Sequence, residues 1–187
     1  PNVPALVKLS EIYYLRLEYE KSIAVLERAL AIEQRGHQPN DFWTAMILER
    51  KADALEAAGQ SQRAKVTYEE ALDEWATAEI EAEQAPTMAI RRGVILDRLG
   101  DLEGSTKAFR LAIRLDPNRD ATYADLISYL VMRGRLEDAE TFYRLAYNQD
   151  RIDAMWKIYY SLWVEGLSRR LGKGSFDLAR GYLEHSD

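Results

Sequence analysis

The stretch Leu99-Gly100-Asp101-Leu102, followed by Phe109, Ala112 and Asp116-Pro117, decides the fold. The same order of residues returns at Gly134-Arg135-Leu136, followed by Ala139, Tyr143 and Ala146. The interval of 34 residues from Gly100 to Gly134 suits one helix–turn–helix unit. The sequence therefore predicts a helical repeat.

Two further copies of the pattern lie upstream. Gly59 precedes Ala64, Tyr68 and Ala71, and Leu17 precedes Ser22, Leu26 and Ala29. Small residues let two helix backbones approach each other, and the large residue between them fills the space beside the contact. The glycines at 59, 100 and 134 each end a first helix where a positive φ is needed to reverse the chain. Extra residues near 34–39 and 79–84 lengthen the first two units.

Helices fill the stretches between the prolines at 1, 4, 39, 86 and 117, and no stretch alternates as a strand would. The predicted spans are 4–16, 19–34, 41–58, 61–81, 87–99, 102–115, 120–133, 136–149, 153–171 and 175–184.

This pattern resembles the tetratricopeptide repeat family. In the first helices the family's leading large residue is represented by Leu6, Leu48, Ala89 and Tyr123, whereas Lys51, Arg92 and Ile127 depart from its pattern. The resemblance implies an all-α, right-handed superhelical solenoid of antiparallel helix pairs. It predicts one domain over 1–187 with about five units, near 3–40, 41–84, 86–119, 120–152 and a diverged 153–187.

The fifth unit is diverged because its first helix is apolar on two sides. Trp156, Tyr159, Tyr160 and Trp163 make one stripe, and Ile158 and Leu162 occupy another side. We expect this helix to pack between the fourth unit and the apolar residues of 176–183. An aromatic cage for a ligand is the alternative, and core packing is favoured over it.

Composition narrows the function classes. Hydrophobic residues make up 47% and charged residues 30%, which favours a globular protein over disorder. The net charge of −6 disfavours nucleic acid, including a helical-repeat reader of RNA. Because no apolar run is long enough to enter a membrane, we expect a soluble protein. We expect a fragment of a longer chain, since it begins without Met; the cytoplasm is favoured, with the periplasm and secretion left open.

Catalytic chemistry is not indicated. The only histidines, His37 and His185, fall in a predicted loop and at the end of the chain, and there is no cysteine. Gly172-Lys173-Gly174-Ser175 faintly resembles a phosphate loop. However, Leu rather than Gly stands five residues before Gly172, no Ser or Thr directly follows Lys173, and no strand precedes the stretch, so we interpret it as a turn. We therefore predict no enzyme, no cofactor and no metal site.

The resemblance implies that the first helices line a groove that binds a protein or peptide. A basic segment of the partner would lie at the acidic end of the groove, and apolar anchors of the partner would lie at the other end. Self-association stays possible. A regulatory or docking module of a larger enzyme is the alternative. The predicted groove residues are Glu11, Tyr14, Met46, Glu49, Asp53, Glu56, Ile90, Val94, Asp97, Arg98, Ser128, Val131 and Met132.

Overall fold

The computed structural model describes residues 2–35, 41–77, 84–149 and 151–172, and within these ranges the regular secondary structure is helical. The helices are α1 Val3–Leu15, α2 Tyr19–Arg35, α3 Asp41–Ala57, α4 Ser61–Thr77, α5 Ala85–Arg98, α6 Leu102–Leu115, α7 Asp120–Met132, α8 Leu136–Tyr147 and α9 Ala154–Arg170. Their bounds agree with nine of the ten predicted spans to within a few residues. The tenth span, 175–184, lies outside the described residues.

Two helices begin after a residue whose side chain accepts a hydrogen bond from a backbone N–H of the first turn. Asn2 accepts the Ala5 N–H at 2.9 Å, with Pro4 in the first turn of α1. Asp153 starts α9 in the same way by accepting the Met155 N–H at 2.7 Å. Side-chain oxygens at these positions replace bonds that the first turn of a helix cannot make internally.

Contacts divide the chain into two compact units. Unit 1 comprises Pro1–Gln84 and Arg91–Ser105, and unit 2 comprises Ala85–Ile90 and Thr106–Asp187. The assignment of the whole chain to one domain stays a prediction.

In unit 1, α1 packs on α2, α2 on α3 and α3 on α4, and α1 also contacts α3. The first pair approaches closely, because the Ser22 hydroxyl donates to the Ser10 carbonyl at 2.9 Å and both residues are buried. Ala29 and Leu26 are fully buried beside this contact. The small–large–small pattern of the first unit is thus confirmed as a contact between helices.

In unit 2, α7 packs on α8, and α9 contacts both of them. Phe109 and Phe142 are fully buried and meet edge to face, with ring centroids 6.3 Å apart. Ala112 and Ala146 are buried as the repeat pattern predicts. Arg110 lies over the Phe142 ring, 5.9 Å from its centroid.

Each first helix ends at a residue with positive φ. The glycines concerned are Gly59, Gly100, Gly134 and Gly172. At Gly59 the N–H donates to the Glu56 carbonyl at 3.0 Å, and the next N–H, of Gln60, donates to the Leu55 carbonyl at 2.8 Å. This pair of bonds closes the helix and turns the chain. The prediction that Gly59, Gly100 and Gly134 end first helices with a positive φ is therefore confirmed.

Leu17 holds the same position in the first unit. Its φ is 62°, and its N–H donates to the Tyr14 carbonyl at 2.9 Å, as the glycine of the other turns does. A side chain in this left-handed region costs about 1–2 kcal/mol. The Leu17 side chain is 71% exposed, so little burial offsets that cost.

We expect Leu17→Gly to stabilise unit 1 by roughly 0.5–1 kcal/mol, because glycine adopts positive φ without the steric penalty and loses some of this gain through its freer unfolded state. Denaturant unfolding followed by circular dichroism measures the change. The matched control is Gly59→Ala, which should destabilise because alanine at φ 77° is strained. A lower midpoint for Leu17→Gly would contradict the strain at this turn.

Candidate functional site

An open cavity of about 430 Å³ lies in unit 1. It brings residues of α1 and α3 together with Arg98 at the end of α5. We call it the unit 1 cavity, and its lining residues are Ser10, Glu11, Tyr14, Leu15, Ser22, Arg50, Asp53 and Arg98. Four of the predicted groove residues, Glu11, Tyr14, Asp53 and Arg98, meet here.

The α1 side of the cavity carries Glu11 and Tyr14. Glu11 accepts from Lys8 at 2.9 Å and pairs with Arg50 at 2.8 Å. The Lys8 hydrogen bond, with help from Arg50, lowers the pKa of Glu11. Tyr14 is 38% exposed, and burial, together with the charge of Asp53, raises the pKa of its hydroxyl. A charged carboxylate and a neutral phenol thus stand one helical turn apart.

The α3 side is held by a hydrogen-bonded set of acids. The Tyr68 hydroxyl donates to Asp53 at 2.6 Å and lies 3.1 Å from a Glu56 oxygen. Arg98 donates to Glu56 at 2.7 Å and lies 4.0 Å from Asp53. Burial raises the pKa of Asp53 even though Tyr68 and Arg98 act in the opposite direction. These contacts orient both carboxylates toward their own chain.

Glu49 lies deeper, outside the cavity lining. Its two oxygens accept from Arg91 at 3.0 and 3.1 Å, and one of them lies 3.3 Å from the indole N–H of Trp75. Trp75 is 1% exposed and meets Phe42 edge to face at 5.4 Å. Burial raises the pKa of Glu49, and Arg91 partly offsets that effect. Glu49 therefore ties unit 1 together and offers almost no surface to a partner.

The acidic end of the predicted groove is thus largely matched by arginines of the chain itself. Arg91 pairs with Glu49 and Arg98 with Glu56, in both cases across 42 positions of sequence. Arg98 is among the predicted groove residues, but neither pairing is part of the prediction. The signal was available, because 42 positions is close to the interval from Gly59 to Gly100, so each arginine lies near the position equivalent to its acid.

The apolar end also differs from the prediction. Ile90 and Val131 are buried, at 8% and 5% exposed, so they belong to the core and cannot serve as open anchors. Asp97 is buried as well, and Met46 packs against the core cluster of unit 1. Val94 and Ser128 are half-buried, and Met132 is 73% exposed.

A second open cavity, of about 410 Å³, lies in unit 2. It is an aromatic groove between α7 and α9, and we call it the aromatic groove. Its lining residues are Ser128, Met155, Trp156, Tyr159, Tyr160 and Trp163. The predicted packing of this helix on the fourth unit is confirmed by its contacts with α7 and α8, whereas its predicted cover, 176–183, lies outside the described residues. Tyr160 is buried, while Trp156, Tyr159 and Trp163 are 42%, 52% and 38% exposed. Sequence periodicity located the stripe but not its exposure.

The described residues offer neither a cluster of metal ligands nor a membrane-spanning helix. Within the described ranges, no three His, Cys, Asp or Glu side chains cluster as metal ligands would. No described helix combines the length and apolarity needed to cross a bilayer. His37, His185 and the Lys173-Gly174-Ser175 segment lie outside the described residues.

Solved structures of similar fold cover almost the whole chain. BtubC (BKLC) from P. vanneervenii aligns with 97% of this chain and 78% of its own length, at a TM-score of 0.63 and 17% identity. A putative kinesin light chain of Podosopora anserina with nearly identical TPR-like repeats aligns over 97% and 92%, at 0.65 and 14%. A search of curated proteins found no significant match. At these identities the likeness shows the fold, an all-α helical repeat.

Family models settle the family. Two models described as tetratricopeptide repeat match residues 3–73 and 87–119, which together make more than half of the 187 residues. Repeats of this family are generally non-catalytic scaffolds for protein interaction. With its turns, helix pairs and family matches in register, the chain belongs to the tetratricopeptide repeat family.

Proposed function

We propose that the chain holds an extended segment of a partner protein in the unit 1 cavity. The observation that carries this is the convergence of Glu11, Tyr14, Asp53 and Arg98 on one open cavity of about 430 Å³. That volume lies within the range of pockets that bind small ligands or short peptide segments.

The chemistry of the cavity indicates what it binds. Tyr14 and Leu15 are exposed at 38% and 79% and provide apolar surface at its edge. Glu11, Asp53 and Glu56 provide acceptors for a basic side chain, but they are already paired with Arg50 and Arg98. A basic residue of the partner must therefore compete with arginines of the chain. The apolar contact contributes more than the charges, since an exposed ion pair contributes only about 0–1 kcal/mol.

The other predicted groove residues contribute less to the proposed binding. Met132 is exposed but belongs to unit 2, whereas Ile90, Val131 and Glu49 are buried and support the helices from within. Binding of partner protein is thus assigned to Glu11, Tyr14, Asp53 and Arg98 first.

A selection from a library of displayed random peptides, with the full chain as bait, tests the proposal. We expect the selected peptides to lose at least about tenfold in affinity when Tyr14→Ala replaces the parent, because aromatic anchors carry a large share of binding energy. Lys65→Ala is the matched control, since Lys65 is exposed on α4 and outside the cavity lining. Peptides that bind both variants and the parent equally would place the contact elsewhere and overturn the proposal.

A further inference from the structure

We propose that the aromatic groove of unit 2 binds a proline-rich, uncharged segment of a partner protein in the polyproline II conformation. This inference rests on the proposed role in protein interaction but not on the unit 1 cavity, because its residues all lie in unit 2.

The groove presents aromatic faces at regular intervals along α9. Trp156 stacks on Tyr160 with ring centroids 5.5 Å apart and an interplanar angle of 13°, and Tyr159 lies 5.7 Å from Trp163. The Tyr160 hydroxyl lies 3.3 Å from the Ser128 hydroxyl, which ties the aromatic wall to α7. Contacts between neighbouring rings hold the wall in place before any partner arrives, which lowers the entropy cost of binding.

Charge on the groove limits the choice of partner. Among the described residues that line it, none carries an ionisable group with a charge at neutral pH. Burial, and to a smaller extent the charge of Asp125, raises the pKa of Tyr160, so an acidic segment would lose its hydration here and also meet a like charge. The lining therefore favours a segment whose contacts are apolar and whose polar groups are backbone carbonyls.

Hydrogen-bond donors favour a segment with unpaired carbonyls. The indoles of Trp156 and Trp163 and the phenol of Tyr159 each bring one N–H or O–H, and all three side chains are partly exposed. Polyproline II makes no internal hydrogen bonds, so its carbonyls are open to such donors, and proline brings no N–H that would need an acceptor. A bound α-helix has already used its carbonyls internally and could not accept in this way.

The spacing of the two indoles along α9 matches the repeat of a polyproline II segment. Seven residues of α9 separate Trp156 from Trp163, which corresponds to about 10 Å along the helix axis. One turn of polyproline II takes three residues and about 9 Å. Two prolines three positions apart can therefore each pack against one of the two indoles, with Tyr159 between them. Aromatic grooves that bind Pro-x-x-Pro segments use this kind of arrangement.

The test uses the full chain and three labelled peptides without charged residues. The first carries two Pro-x-x-Pro turns, the second has alanine at every proline, and the third is a leucine-rich helix former. We expect the proline peptide to bind and to change the tryptophan emission, because Trp156 and Trp163 line the groove. Trp163→Ala should weaken its binding at least about tenfold, as removal of a central aromatic anchor does.

Leu162→Ala is the matched control. Leu162 is 58% exposed on the same helix but does not line the groove, so this variant should bind within about twofold of the parent. Circular dichroism checks that both variants are folded. No binding of the proline peptide, equal binding of the alanine peptide, or tighter binding of the helix former would each overturn the proposal. Tyr14→Ala tells the two sites apart. If it weakens the peptides selected for the unit 1 cavity and leaves binding of the proline peptide unchanged, the two sites bind independently.

Discussion

Phe142→Ala is expected to lower the free energy of unfolding of unit 2 by about 3–5 kcal/mol. Phe142 is fully buried between helices, meets Phe109 edge to face and lies under the guanidinium of Arg110. Alanine leaves a cavity that helices packed at crystal-like density cannot close. Denaturant unfolding followed by circular dichroism measures the change.

Two comparison variants make this result specific. Phe142→Leu keeps most of the volume and should cost markedly less than the alanine change. Leu162→Ala removes an exposed side chain from the same unit and should change stability by about 0.5 kcal/mol or less. If Phe142→Ala costs no more than Leu162→Ala, the ring is not part of a packed core.

Arg91→Ala is expected to cost about 2–3 kcal/mol at neutral pH. Arg91 is the cation closest to the buried Glu49, and removal of one partner leaves an uncompensated charge. Such a loss costs about 3–5 kcal/mol when both partners are buried, and the side chain of Arg91 is partly exposed, which reduces it. Arg92→Ala is the matched control, because the next residue is exposed and should be worth about 0.5 kcal/mol or less.

The deficit of Arg91→Ala should depend on pH. Burial already raises the pKa of Glu49 in the folded chain, and loss of Arg91 removes the main charge that lowers it. A carboxyl with a raised folded pKa contributes its stability below its unfolded pKa and loses it as the pH rises through the folded pKa. The deficit should therefore be small below about pH 4 and largest above the raised folded pKa.

Adding Glu49→Gln to Arg91→Ala separates charge from packing. Glutamine keeps the size of the side chain and cannot ionise, so most of the loss at neutral pH should return. A deficit that is the same at all pH values, and is not relieved by glutamine, would show that Arg91 acts through packing alone.

The fold could be predicted because its signals are local. Gly59, Gly100 and Gly134 mark turns that require positive φ, and each small–large–small series marks a contact that the same stretch of chain must make. Even Leu17 was found at the glycine position, since the spacing around it kept the register. Burial of Ala112 and Ala146 follows from the same pattern.

The site was harder to predict because it depends on which residue meets which across units of the repeat. Glu49 was assigned to a surface from its place on α3, but it is buried and paired with an arginine 42 positions away, which changes its role. The aromatic stripe of α9 has the spacing of a core element, and spacing alone does not say whether another helix covers it. Exposure of Trp156 and Tyr159 had to come from the structure.

The pairs Arg91–Glu49 and Arg98–Glu56 join residues that are both 42 positions apart. Links of one repeat length join residues of neighbouring units and do not reach across the chain of 187 residues. Each such pair requires only the chain between its two members to close, and the entropy cost of that closure grows only slowly with length. Each helix pair can therefore form in the vicinity of its neighbour without waiting for the rest of the chain, as nearest-neighbour coupling in repeat proteins allows.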